Sequence, residues 1–175
     1  MKKFNLQLFA EVVQGSQIVY LYRILKNAAT TDAVTLAFTK ENERSSSCES
    51  ESTVTKDGSI NTPGAPEIEI SATSILAKGD TLVDELEEAM FAGDIIEVWE
   101  ANLAEPKGEG ENKFKGKYFQ GTLTEISKTS SSEEAVEIGL TFAINGTGVA
   151  GDVTVTTEQQ KLAAYVFADT QKVGA

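Results

Sequence analysis

The glycine-rich run at residues 146–151 is the first stretch whose residue types and spacing could do chemistry. It reads G-T-G-V-A-G and follows a β-rich stretch. In dinucleotide-binding proteins such a turn opens a helix whose N-terminus receives a pyrophosphate. Here D-V-T-V-T follows, which is typical of a strand, and the preceding residues predict an antiparallel hairpin rather than a βαβ unit. The sequence therefore predicts no nucleotide site and no cofactor.

Other residues with catalytic or metal-binding chemistry are scarce. The 175 residues include no histidine and a single cysteine, Cys48, so the usual general base and the commonest metal ligand are missing. Paired carboxylates can hydrolyse glycosides, but nothing indicates that two of them converge on a cleft, and none has calcium-loop spacing. We expect no catalytic and no metal-binding residues, and hence no enzyme. The clustered carboxylates are Glu41/Glu43, Glu49/Glu51 and the run from Asp84 to Glu88.

The charge and hydropathy of the chain argue against nucleic acid and membranes as binding partners. Lys and Arg number 15 against 27 Asp and Glu, a formal net charge of −12. Such a chain repels phosphate, which argues against tight nucleic-acid binding. No apolar run reaches the roughly 20 residues of a membrane span, and the apolar start is broken by Asn5 and Gln7, unlike a signal peptide. These features predict a protein made in the cytoplasm, with no membrane partner.

A long β-hairpin is the clearest structural pattern. In A-V-E-I-G-L-T-F-A-I-N, residues 135–145, apolar side chains alternate with small or polar ones, the period of a half-buried strand. The stretch 118–128 is also β-rich, and the polar connector 129–134 predicts antiparallel pairing. The alternation of the first strand changes phase, which predicts a bulge near Thr124. The polar face is built from small residues, so we expect something to pass or pack there: Gln120, Thr122, Thr124, Glu137, Gly139 and Thr141.

Further strands are predicted at residues 17–23, 33–39, 67–76, 95–100 and 151–157. A helix is predicted over 81–92, capped by Asp80 or Thr81 and ended by Gly93. Its acidic outer face is a solvated surface or meets lysines near residues 107–117, and a short helix is predicted at 158–167. Trp99 is expected in the core. The element order indicates a mainly β (α+β) fold: an antiparallel β-sandwich or half-barrel with one flanking α-helix.

The segment 40–66 interrupts this order with a polar composition in which Val54 and Ile60 are the large aliphatic residues. Its D-G and P-G dipeptides are typical of turns, and a loop of this length is usually functional or disordered. We expect either a flexible loop or one that folds against a partner subunit. The predicted organisation is an N-terminal arm at 1–16, a single domain at 17–168 and a C-terminal tail at 169–175.

Several motifs, in order, resemble the major tail protein family of long, non-contractile-tailed phages. They are T-K-D-G-S-I-N-T-P-G, E-I-S-A-T-S-I-L-A-K-G-D, E-V-W-E, Y-F-Q-G-T-L-T and A-V-E-I-G-L-T-F-A-I-N-G-T-G-V-A-G-D, which together cover the chain from about Gln17 to its end. The opening L-Q-L-F-A is also similar to the start of many phage structural proteins. The resemblance implies a tail tube subunit of the virion, in which a β-sandwich with a flanking helix forms hexameric rings.

In that family the inner hairpins join into a continuous barrel, and rings stack into a tube around the tape measure protein, through which DNA later passes without specific binding. Tail terminator and baseplate or distal tail proteins are further partners implied by the resemblance. The open alternatives are another virion β-protein, such as a head decoration or head–tail joining protein, and an enzyme. The segment 40–66 would bridge stacked rings, with Glu41, Arg44, Lys56, Asp57, Gly58, Asn61, Pro63 and Gly64 as candidate contacts; the small polar hairpin face would line the lumen.

Overall fold

Six strands form one antiparallel sheet in the described part of the chain, which is residues 12–108 and 112–163 of a computed structural model. The order of the strands across the sheet is β1-β4-β5-β6-β3-β2. Their bounds are β1 Ile18–Ile24, β2 Thr39–Thr55, β3 Gly58–Ile75, β4 Ile96–Pro106, β5 Lys113–Thr129 and β6 Glu137–Thr154. The helices are α1 Leu82–Ala92 and α2 Thr157–Ala163. A mainly β antiparallel fold with one flanking helix, α1, is therefore confirmed.

Long strands β5 and β6 divide the sheet into two layers. Residues 113–120 of β5 pair with β4 and with residues 145–154 of β6, and β4 pairs with β1; we call this layer A. Residues 121–129 of β5 pair with residues 137–144 of β6, which pair with the end of β3 and through it with β2; we call this layer B. The predicted central hairpin is confirmed and crosses both layers.

The two layers pack face to face as an open sandwich. Tyr22 of β1 stacks on Phe142 of β6 with ring centroids 5.3 Å apart, and its hydroxyl donates to Asn42 Oδ1 of β2 at 3.2 Å. Since β1 and β2 lie at opposite ends of the strand order, these contacts require the sheet to fold over. Burial of apolar side chains between the layers is the main stabilising term. The largest fully buried members are Tyr22, Phe119, Phe142, Ile70, Leu86, Ile96, Ile138 and Leu140.

The fold between the layers occurs where β5 and β6 are irregular. The register shifts between the pairs Tyr118–Val149 and Gln120–Asn145, so β6 has extra residues, G-T-G at 146–148, opposite Phe119. Gly148 has φ +72°, and a Cβ there would lie 2.4 Å from the Phe119 ring. A side chain is excluded by both the backbone conformation and the packing. The glycine motif is therefore a bulge in a strand. A second shift, between Leu123 and Glu125, confirms the bulge predicted near Thr124.

Helix α1 packs against the core between the layers with Val83, Leu86 and Ala89 buried. The Asp80 carboxylate accepts from the Leu82 amide at 3.0 Å, and Gly93 ends the helix at φ +72°, as predicted. The lysine near its acidic face is Lys128 of β5, which lies 3.2 Å from Glu87, and not one from residues 107–117. Hydrogen bonding to Glu87 raises the pKa of Lys128.

Layer A also carries apolar side chains on its outer face. Val19 and Leu21 of β1 point opposite to Tyr20 and Tyr22, and form a second cluster with Ala101, Phe114, Val153 and Val155. Trp99 packs against this cluster at half burial, beside the Tyr118 ring at 5.2 Å. The chain after β6 contributes to the cover, since Gln159 Nε2 donates to the Ala33 carbonyl at 3.0 Å. Layer A therefore buries apolar side chains on both of its faces.

Two sequence-based predictions are wrong. Residues 33–39 do not form a strand: Val34 makes one isolated bridge to Tyr22, and the chain then turns at Phe38, with φ +48°. This segment has to cross from the edge of layer A to the edge of layer B, which a straight strand in one sheet cannot do. Residues 40–66 are a β-hairpin rather than a loop, because the two polar strands satisfy their backbone groups by pairing with each other.

The D-G dipeptide lies at the tip of this hairpin as predicted, with Thr55 paired to Gly58. The P-G dipeptide at 63–64 does not make a turn and lies inside β3 at a register irregularity. Most of the predicted arm (1–16) and the whole tail (169–175) fall outside the described residues, as do the last residues of the predicted helix at 158–167.

Candidate assembly surfaces

Layer B has one face that packs on the core and one that nothing in the described chain covers. On β6, Ile138, Leu140 and Phe142 point inward and the residues between them point outward. The register carries the same division across β5, β3 and β2. The outward face, here called the open face, has the large aliphatic Ile75 at its end and otherwise consists of small, polar and acidic residues: Glu41, Glu43, Ser45, Glu69, Ser71, Thr73, Thr122, Glu125, Ser127, Glu137, Gly139, Thr141 and Ala143.

The open face is negatively charged because its ionised members are carboxylates contributed by four strands. Lys40 Nζ forms a salt bridge with Glu137 at its margin, and that hydrogen bond raises the pKa of Lys40. Some side chains on this face lie close to the neighbouring backbone. A Cβ on Gly139 would lie 2.6 Å from the Ser127 hydroxyl, so glycine leaves room for that serine. A negative surface of this kind repels phosphate and offers few apolar contacts.

The structure brings together most of the residues predicted for a lumen wall. Thr122, Glu137, Gly139 and Thr141 share the open face. Thr124 is the bulged residue, and its hydroxyl donates to the Thr141 carbonyl at 3.0 Å. Gln120 lies where the layers join, with Nε2 donating to the Tyr118 hydroxyl at 2.6 Å.

Sequence reasoning missed the part of this face that β2 and β3 contribute. The alternation E-I-E-I at 67–70, with Ile68 and Ile70 turned inward, was a signal that could have placed Glu69 outward. Glu43 had no such signal, because β2 has no alternation of apolar residues. Its position follows from pairing with Ser71 of β3.

Both edges of layer B are free within the described chain. β2 pairs with β3 on one side, and its other side has no strand. Beyond Gly121, β5 has left β4 and pairs with β6 alone. Each edge therefore presents backbone N–H and C=O groups that can pair with another strand.

The distal part of the β2–β3 hairpin projects from the sandwich. Pairing of β3 with β6 ends at Ile68, whereas the β2–β3 ladder continues to its tip at residues 56–57. We call residues 48–66 the ribbon; at about 3.3 Å per residue it extends roughly 30 Å. Val54 and Ile60, on opposite sides of it, are 84% and 59% exposed. A two-stranded ribbon with no packed face is marginal alone, which suits a segment that packs against another molecule.

Six of the candidate ring-stacking residues lie in the ribbon: Lys56, Asp57, Gly58, Asn61, Pro63 and Gly64. Glu41 lies on the open face instead, opposite Thr73. Arg44 turns toward the core margin, where Nε lies 2.6 Å from Glu100 Oε2 and the guanidinium covers Phe119. Hydrogen bonding to Glu100 raises the pKa of Arg44. Sequence position alone could not separate these residues, because the hairpin pairing was not foreseen.

Chemical sites are not found in the described ranges. No group of His, Cys, Asp and Glu there could hold a metal ion. The side chain of Cys48 is exposed and its sulfur lies 3.1 Å from the Gly64 carbonyl. Across the same residues, no helix has the length and apolar character that crossing a membrane requires.

Solved structures of phage tail and related tube assemblies contain chains with this fold. The SPP1 tail tube has a TM-score of 0.70 at 20% sequence identity, covering 93% of both chains. The virion of a native gene transfer agent has a TM-score of 0.58 at 14% identity, covering 79% of this chain and 98% of the other. The cap of the anti-feeding prophage has a TM-score of 0.55 at 10% sequence identity, covering 89% of this chain and 100% of the other.

The sequence comparisons go further than the fold. The family model described as phage tail tube protein matches residues 12–150. A putative tail protein of Staphylococcus phage phiMR25 is 30% identical over 170 residues, which covers 95% of this chain and 87% of that protein. The chain therefore belongs to the phage tail tube protein family. It is a structural protein of the virion tail, and the family match decides against a head decoration or head–tail joining protein.

Proposed function

We propose that this protein forms hexameric rings in which the free edges of layer B pair between neighbours. The β2 edge of one subunit would add to the β5 edge of the next, so that the open faces form one continuous wall. Ring closure would satisfy the backbone groups of both edges, which are otherwise prone to uncontrolled pairing. The observation that carries the proposal is the coincidence of these two free edges with an uncovered polar face on the same layer.

The wall would enclose a channel lined by the open face. Its carboxylates from β2, β3, β5 and β6 would keep DNA from adhering during ejection, because phosphate and carboxylate repel. The fold neighbours support a ring of six, since one of them is a gene transfer agent tail described with C6 symmetry. As membership of the tail tube family implies, the channel would hold the tape measure protein during assembly, and terminator and baseplate proteins would close the two ends.

The ribbon would join successive rings. It projects along the strand direction of layer B and carries exposed apolar side chains, Val54 and Ile60, which contact with a second ring would bury. We infer that the protein acts by binding copies of itself and not as an enzyme. No catalytic, metal or cofactor role is assigned to any residue.

Two measurements test ring formation and the orientation of the wall. Negative-stain electron microscopy of the concentrated protein, with its mass in solution, should show rings or tubes with an open lumen. In a Cys48→Ser background, a bulky maleimide should label Thr141→Cys in the monomer but not in tubes, whereas Glu88→Cys on α1 should stay reactive in both. Fast labelling of Thr141→Cys in intact tubes would place the open face outside and refute the wall.

Ribbon function is tested by excision. Replacing residues 49–65 with a two-residue Asn-Gly turn, so that Cys48 and Pro66 remain paired, should leave the sandwich folded and rings intact but abolish stacking. The matched control changes Lys56 and Asp57 to serine at the tip without shortening the ribbon. Tubes of normal length from the excised protein would assign stacking to another surface.

A further inference from the structure

A groove of about 720 Å³ runs along the seam where layer A meets layer B at the β1 and β2 edges. Its walls combine the turn before β1, β1 itself, the crossing segment 35–38, the start of β2 and helix α2. The lining residues include Gly15, Ser16, Ile18, Tyr20, Leu36, Phe38, Thr39, Asn42, Gln159 and Lys161. Phe38 is 71% exposed and its backbone has φ +48°, a conformation that residues other than glycine and asparagine rarely adopt. An exposed, strained aromatic beside an apolar groove indicates a surface that is normally covered.

The backbone of β1 faces this groove with N–H and C=O groups that make no hydrogen bond to another strand of the described chain. Tyr22 donates to and accepts from Val34 on the side away from β4, at 2.8 and 3.0 Å. Because N–H and C=O groups of alternate residues point the same way in a strand, Tyr20 directs both of its groups to that side. Within the described chain, no backbone group bonds to Tyr20 there. The groove therefore offers a strand edge together with an apolar floor, which is the combination that accepts an added strand.

A matching strand sequence lies at the start of the chain. In F-N-L-Q-L, residues 4–8, apolar residues alternate with Asn5 and Gln7, the pattern of a strand with one apolar face. The described chain begins at Val12, which is 80% exposed, and residues 12–14 belong to no strand. To pair with β1 of its own subunit, the arm would have to reverse direction between residues 9 and 17, next to Gly15 and Ser16, which line the groove. A neighbouring copy requires no reversal, and about eight extended residues span roughly 26 Å.

We propose that residues 4–8 of one subunit add a strand beside Tyr20 of a neighbouring copy and place Phe4, Leu6 and Leu8 over Leu36 and Phe38 of its groove. The inference rests on the proposed self-assembly only in requiring that copies meet. The arm would use the β1 edge of layer A and leave the β2 and β5 edges of layer B available for ring closure. Each subunit would thereby hold the next by an exchanged strand as well as by its sheet edges.

Photo-cross-linking of the full-length protein tests this directly. Benzoylphenylalanine replaces Leu6 in one preparation and Gln7, on the opposite strand face, in a control. Assemblies from equal amounts of isotopically light and heavy subunits are irradiated and the joined peptides are identified by mass spectrometry. We expect position 6 to cross-link to residues 35–42 in mixed light–heavy pairs, and position 7 to lose those products.

Cross-links joining the arm to the groove of the same subunit, cross-links to another surface, or equal products from positions 6 and 7 would each overturn the inference. Its failure is distinguishable from failure of the proposed function, because rings and tubes are scored independently by electron microscopy. Tubes without arm–groove cross-links would refute the exchanged strand alone. Cross-linked pairs that never form rings would support the exchanged strand and refute the ring.

Discussion

Layers A and B belong to one hydrogen-bonded sheet, yet their outer faces differ: that of layer A buries apolar side chains, and that of layer B is exposed. On β1 of layer A, Val19 and Leu21 are buried on the outer side, as Tyr20 and Tyr22 are on the inner side. On β6 of layer B, Leu140 and Phe142 are buried while Thr141 between them remains partly exposed. Layer A therefore buries apolar side chains on both faces, whereas layer B buries them on its inner face only.

The transition occurs within single strands. β6 contributes its first half to layer B and its second half to layer A, and the glycine bulge at 146–148 separates the two. A strand alternates its faces along its whole length, so a change of environment requires either a break or an irregularity in register. The bulge supplies the change without ending the strand, and the backbone pairing between β5 and β6 continues through both layers.

The sharpest test of this contrast compares neighbours on β6. Phe142→Ala should lower the free energy of unfolding by about 3–5 kcal/mol, because the ring is fully buried and stacks on Tyr22. Thr141→Ala, one residue away on the open face, should change it by less than about 0.5 kcal/mol. Urea denaturation of the monomer measures both. Comparable losses would mean that the open face is a packed surface and would refute the division between the layers.

A smaller effect is expected at the bulge. Gly148→Ala forces a Cβ toward the Phe119 ring at φ +72°, which should cost roughly 2–3 kcal/mol from overpacking and backbone strain. Gly151→Ala, in the same sequence motif but with nothing within 4 Å of the added carbon, should be nearly neutral. Thermal unfolding of the two variants checks the order. Equal stability would show that the layers do not depend on a glycine at the joint.

How far the sequence predicts this arrangement depends on how much each strand buries. The alternation at 135–145 correctly predicts a strand, its partner and its inward residues, because one face of that strand packs on the core. Helix α1 is equally predictable, since its cap at Asp80, its apolar spacing and Gly93 all agree. In both cases local pattern and tertiary packing indicate the same structure.

The ribbon and the crossing segment are not predictable in this way. Residues 48–66 bury no apolar face, so they have no alternation of apolar residues from which strands could be predicted. Their strand structure depends on pairing within a hairpin whose two strands are both polar. At residues 33–39 the alternation of Val34, Leu36 and Phe38 suggests a strand, but the seam between the layers requires a turn. The glycine motif illustrates the same limit, because its bulge is defined by contact with Phe119.

The contrast between interior and outer face also predicts a difference at alkaline pH. Burial, followed by a lesser electrostatic contribution from Tyr20, raises the pKa of Tyr22 between the layers. Burial also raises the pKa of Tyr118 on the outer face of layer A, where the side chain is only partly covered. A raised folded-state pKa gives stability that is complete below the unfolded value of about 10 and is lost as pH rises above it.

Above that pH, each tyrosine that stays protonated in the folded state should lower stability by about 1.4 kcal/mol per pH unit. Tyr22→Phe should flatten the fall in stability between about pH 10 and 11, at the cost near neutral pH of about 1 kcal/mol for the lost hydrogen bond to Asn42. Tyr118→Phe should flatten it less, because its partly exposed hydroxyl ionises more readily in the folded state. Urea titrations across this range measure the slopes; a larger change from Tyr118→Phe would mean that the space between the layers is wetter than the outer face.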